Sequence, residues 1–428
     1  MNGARAAPRV RLYPLGFFAL ALLDTLFTQW IVYFHSESRH ATAGSAAWIG
    51  AALVVGYLLQ GVTNPIVGAA SDRIRSGAGR RRPIVIAAAP AMALAFAALW
   101  HVPGGVGLVL VPLYCVSFAI VAQPYTSLLP TIAPADALRV RLTLAGSMLS
   151  FVAAGAALIG GPALLEVGSY RALALVGAIA VLAGVLAPAL FIREPAPPTD
   201  APARRPAREF VTSTGELLAS PPVRLFLAGN TLLFTGVGLL TMIGPFVAES
   251  LVGRERSYTG VLNTWLFAGM LAATPLMMTW SRRVHPAGML AGGAAFGAAV
   301  LGALGASLAA GELALPLWWL AYAALGLPVL MALAAPPLVL SRLADRDGRN
   351  REGLIFGLNG AIALGLGRAL AAITTGVAVR GEDGSGRTLG LVICIGVAAL
   401  AFAAASVLLR ACARRDQAAP APASASKP

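Results

Sequence analysis

Two charged side chains lie where the chain is most apolar. Asp24 falls midway along the run from Leu12 to Phe34, and Arg368 midway along the run from Leu354 to Val379. A charge at the centre of a bilayer costs about 2.5–3.5 kcal/mol even on a lenient insertion scale, so each needs a partner or a task. A carboxyl at that depth can carry a proton or hold a solute. It can equally be a structural group capped by Thr28 one turn on, or paired with an arginine. Arg368 is too deep to snorkel easily and calls for an anion. Asp24 or an anionic solute such as a uronic acid would serve; a lipid-facing or water-exposed position is the plain alternative.

Neutral hydrogen-bonding groups follow the same logic. Tyr57, Gln60 and Asn64 recur at i, i+3 and i+7 and form one stripe on an otherwise apolar helix. Amides and a phenol suit hydroxyl-rich ligands, and they also bond helix to helix. Asn230 and Asn263 add donors and acceptors further on, while Trp318, Trp319 and Tyr322 offer faces to a sugar ring or form an aromatic belt at the membrane surface. Bond-making chemistry is not indicated. The four histidines (His35, His40, His101 and His285) sit at or beyond the ends of apolar runs, and no nucleophile stands with a base at motif spacing. The one glycine-rich loop has neither a phosphate-binding nor a dinucleotide-binding pattern, so neither an enzyme nor direct drive by ATP is expected.

The elements that must hold these residues are long apolar helices. The chain is 58% hydrophobic and 12% charged, with a mean hydropathy of +0.77 that no soluble domain tolerates. A span needs roughly 20 apolar residues, and such segments begin near residues 13, 46, 83, 106, 142, 171, 223, 259, 286, 315, 354 and 388. The expected fold is an all-α polytopic membrane protein of twelve transmembrane helices in two six-helix bundles, residues 1–193 and 223–411. A Pro/Ala-rich linker, 194–222, joins them and is able to form a short surface helix from Arg208 to Ala219. Residues 412–428 are expected to be a disordered tail. The first span lacks a small-residue cleavage site and reads as helix one. Cys115, Cys394 and Cys412 show no paired spacing, which points away from a disulfide and from a metal site.

The formal charge of +14 follows topology and gives no sign of nucleic acid. With both termini cytoplasmic, 25 of the 32 basic residues fall inside and six outside, the bias expected at a bacterial-type inner membrane. The densest cluster is residues 64–83, NPIVGAASDRIRSGAGRRRP, which joins the second span to the third. Two further charged stretches stand out: 123–142, QPYTSLLPTIAPADALRVRL, and 344–358, ADRDGRNREGLIFGL. A fainter echo of the first, Trp280-Ser281-Arg282-Arg283, occupies the equivalent position in the second half, as parallel repeats require.

These three stretches resemble the signature elements of the glycoside-pentoside-hexuronide cation symporters of the major facilitator superfamily and, more distantly, the sucrose-proton symporters. The resemblance implies secondary active transport of a small hydrophilic solute, a sugar or glycoside first, by alternating access. It also implies a cytoplasmic gate built from Asp72, Arg73, Arg80, Arg81, Arg82, Asp136 and Arg139. The expected substrate and proton site comprises Asp24, Thr28, Tyr57, Gln60, Asn64, Asn230, Asn263, Trp319, Tyr322 and Arg368. Sodium-coupled members carry carboxylates at the positions of Gln60 and Asn64, so a hard-cation cage is not expected; the lysine of their helix eleven aligns with Gly365. The proton is the expected coupling ion, with no cofactor. The expected partners are a small-molecule solute and the lipid bilayer, with a monomer as the expected state. Two rivals remain: an exporter or a lipid or pigment carrier of the same fold, and an assembly factor that does not transport.

Overall fold

The computed structural model describes residues 8–37, 45–71, 74, 76, 79–102, 104–133, 136–195, 207–281, 283–311, 313–347, 352–379 and 384–418. The described residues are helical almost throughout, because in hydrocarbon each span must satisfy its own backbone. The first half holds α1 (Pro14–Glu37), α2 (Ser45–Ser71), α3 (Arg82–Leu99) and α4 (Gly107–Ser127). A single apolar run of 55 residues follows. At about 1.5 Å per residue it would be far longer than a bilayer is thick. It is broken at Ser169, whose φ of 56° and ψ of −169° lie outside the helical region. The run is therefore two crossings, α5 (136–168) and α6 (170–191).

A surface helix, Ala207–Ala219, precedes the second half. That half holds α7 (Pro221–Ser250), α8 (Thr259–Ser281), α9 (Pro286–Ala310), α10 (315–347, interrupted at Ala335), α11 (352–378) and α12 (Gly384–Ala418). The sequence expectation of twelve spans thus holds among the described residues. The last span runs further than expected: residues 412–418, expected in the disordered tail, continue α12 as helix.

Contacts divide the chain into two compact units. The first is Met1–Pro202 together with Gly244–Glu249 and Gly253–Val261; the second is Ala203–Ile243, Ser250–Val252 and Leu262–Pro428. Within the first, α1 packs along α5, α2 along α4 and α3 along α6. The second repeats the pairing: Gly367 of α11 lies against the α7 backbone at Thr231, Gly326 of α10 against α8, and α9 along α12. Small residues at these crossings let backbones approach where apolar burial gives no advantage over lipid. Gly326 shows the requirement directly, since a Cβ there would overlap the backbone of Gly269 and Met270.

Candidate functional site

At the arginine-rich end of the first unit, the carboxylate of Glu194 accepts hydrogen bonds from the backbone N–H groups of Arg81 and Arg82, each at 2.9 Å. These are the amides that open α3, which begin without an intrahelical acceptor, and a negative charge there also meets the positive end of the helix dipole. The loop reaches this carboxylate through Gly79. Its φ of +97° suits glycine, and a Cβ would collide with Glu194. The arginine side chains point back into the same unit. Arg82 Nε donates to Ala189 O at 2.7 Å and Nη2 to Leu190 O at 3.0 Å, capping the end of α6. Arg81 Nη1 donates to Ser127 O at the end of α4. Arg80 is half-buried, and Arg139 Nε donates to Ala133 O at 3.4 Å. Asp72 and Arg73 lie outside the described residues. Asp136 opens α5, and its side chain also lies outside them.

The stretch 123–142 joins this scaffold. Tyr125 stacks on Tyr13 at 5.2 Å with planes 8° apart. The Tyr125 hydroxyl donates to Tyr13 O at 2.7 Å, and the Tyr13 hydroxyl donates back to Thr126 O at 3.0 Å and Tyr125 O at 3.3 Å. The start of α1 is thereby fixed to the end of α4.

The second unit has a counterpart at the end of α12. Asp416, 1% exposed, takes His285 Nε2 at 2.7 Å, Arg342 Nε at 3.2 Å and Arg346 Nη1 at 2.9 Å. His285 is the residue that caps α9. Its Nδ1 accepts from Ala287 N–H at 3.2 Å, which leaves Nε2 to donate to the carboxylate.

Within the spans, Asp24 is half-buried on α1. Thr28 Oγ1 is buried and has no hydrogen-bond partner among the described residues, so it does not cap Asp24. Tyr57 is buried edge-on to Phe27 at 6.4 Å, whereas Gln60 and Asn64, further along the same stripe of α2, are half-buried. In the second unit Asn230 is fully buried and donates through Nδ2 to Asn359 Oδ1 at 2.8 Å, binding α7 to α11. Asn359 begins a π-helical stretch, Asn359–Leu366, and Arg368 stands half-buried two residues beyond it. Such wide turns are uncommon and cluster at functional positions. Asn263 is buried, and Tyr322 is half-buried. Trp319 stacks on Trp265 of α8 at 5.7 Å and 15°. Trp318, 1% exposed, sits inside the unit and not in a surface belt. Asp24 and Arg368 belong to different units.

The sequence reading missed Glu194, Asp416, Asn359 and Trp265. Glu194 follows the sixth span of its half, and Asp416 lies in the last turn of the sixth span of the other.

A helical chain of this pattern, with two units built on the same pairing, matches a known family model. The model is the MFS/sugar transport protein family, and it matches residues 12–411. The chain belongs to this family. Solved structures agree on the fold. A bacterial homologue of the human lysosomal transporter Spinster, solved inward-facing and unoccupied, superposes with a TM-score of 0.64 at 17% identity over 98% of this chain and 100% of the other. The peptide-transporter-family protein PepTSo gives 0.70 at 12% identity over 96% and 99%. A D323A mutant of the nucleoside transporter NupG gives 0.66 at 14% identity over 94% and 99%. No curated protein matches the chain in sequence. The protein is a multi-pass membrane transporter of the major facilitator fold, and not an enzyme.

Proposed function

We propose that this family member carries a small hydroxylated solute, a sugar or glycoside, across the cytoplasmic membrane by alternating access, coupled to protons through Asp24. The observation that carries the reading is the placement of Asp24. It is a carboxyl within an apolar span of a transporter fold, and it is half-buried. A group so placed is a functional candidate by default. The family's printed description supports the solute class. So do the half-buried neutral amides Gln60 and Asn64, which suit hydroxyl groups better than a bare cation. The termini face the cytoplasm, and the protein works as a monomer.

The test is uptake by the purified protein in vesicles, using a panel of mono- and disaccharides and glycosides with and without an inward proton gradient. Accumulation of at least one sugar that rises with the gradient is expected. Flux of every panel sugar at the rate of empty vesicles, in protein shown to be folded, overturns the reading.

A further inference from the structure

The polar residues in the middle and later turns of α1 share one side of the helix. At about 100° per residue, Asp24, Thr25, Thr28, Gln29 and Tyr33 fall within half of its circumference, while Leu23, Leu26, Phe27 and Trp30 fill the opposite half and are buried at 0–1% exposure. Gln29 stands out on the polar side. It is 1% exposed, and its Oε1 has no hydrogen-bond partner among the described residues. Thr28 beside it, 6% exposed, is likewise unpartnered at Oγ1. Seven other helical threonines close back on the carbonyl four residues earlier at 2.8–3.0 Å, while among the described residues Thr214 and Thr375 share with Thr28 a buried, unpartnered hydroxyl.

Gln29 lies seven residues, roughly 10 Å, inside Ser36, where its apolar span ends, and there water is scarce and an unmet acceptor is costly. Its amide nitrogen stands 4.0 Å from where a Cβ on Gly244 would be, beside a segment that belongs to the same unit. One turn further out, the Tyr33 hydroxyl donates to Glu249 Oε1 at 2.5 Å and the Tyr33 ring meets Phe246 at 5.0 Å. A buried acceptor held open behind such a contact is matched to a donor that arrives from elsewhere.

We propose that Gln29 binds the transported solute, its Oε1 accepting a hydrogen bond from a solute hydroxyl, with Thr28 as a second contact on the same side of α1. The inference rests on the sugar reading above, and two measurements separate the failure of one from that of the other. The first needs no solute. In Gln29→Met, a near-isosteric apolar replacement, the thermal unfolding temperature of the sugar-free protein is expected to stay level or rise. A fall of several degrees means the acceptor is already served, by water or by protein, and overturns the proposal. The second uses whichever panel sugar the wild type carries. Gln29→Met is expected to raise KM about 10-fold while leaving the maximal rate within about 2-fold, the mark of lost binding. An unchanged KM overturns it. Gln29→Asn, too short to reach, repeats the KM arm if the Met variant inserts poorly. If the wild type carries no panel sugar, the sugar reading has failed on its own, and the unfolding measurement still decides for or against an unserved acceptor at Gln29.

Discussion

The arginine-rich ends of the two units solve one structural problem with different chemistry. In the first, Glu194 follows α6 and receives backbone amides, while Arg81 and Arg82 spend their side chains on carbonyl caps. In the second, Asp416 at the end of α12 receives side chains, one imidazole and two guanidinium groups. Both anchors tie the last helix of a unit to the start of its third. The difference is what each can tolerate. Backbone donors need an acceptor of the right shape, and a neutral amide oxygen provides one. Arg342 and Arg346 need a charge, and a neutral group leaves them facing each other.

Breaking the second anchor should cost most. Asp416→Ala leaves the buried imidazole of His285 and the part-exposed guanidinium groups of Arg342 and Arg346 without their acceptor, a loss of about 3 kcal/mol, the low end for a broken buried pair. A large drop in the unfolding temperature of the detergent-purified protein is expected, and Asp416→Asn should recover little of it. Glu194→Ala should cost less, about 1–2 kcal/mol in all, because Arg81 and Arg82 are only half-buried and water can meet part of what their amides lose. Here the neutral variant should discriminate: Glu194→Gln is expected to unfold near the wild type, and a loss as large as that of Asp416→Asn would erase the distinction between the anchors. Gly79→Ala strikes the first anchor through the backbone, and an L-residue held at positive φ costs about 1–3 kcal/mol. The same unfolding assay should show Gly79→Ala matching Glu194→Ala in direction. The smallest effect belongs to Arg342, whose side chain is 46% exposed; Arg342→Ala should shift stability by about 0–1 kcal/mol.

The spans were legible because hydrophobic length is a local property, and even the turn between α5 and α6 could be placed from the polar residues around Ser169. The anchors were not. Glu194 sits at the head of a Pro/Ala-rich linker, and Asp416 in a charged tail, so composition assigned both to solvent. Their partners lie 113 and 131 residues away, and no periodicity reports a contact of that range. The three charged stretches were visible by their resemblance to a family, but a motif does not say which way its side chains turn. Arg81, Arg82 and Tyr125 act within their own unit, on Ser127, Ala189, Leu190 and Tyr13. Asn230 was read as a ligand group, and the structure gives it a helix-joining bond to Asn359. Gln29 was passed over although it shares a side of α1 with Asp24 and Thr28, because the sequence alone does not say what that side faces.

The most direct test of the central claim compares wild type with Asp24→Asn in proteoliposomes, following one panel sugar that the wild type accumulates. Accumulation driven by a proton gradient is expected to disappear in Asp24→Asn while sugar-for-sugar exchange without a gradient continues. Gradient-driven accumulation that persists at the wild-type level in Asp24→Asn would contradict that claim and remove Asp24 from the coupling mechanism.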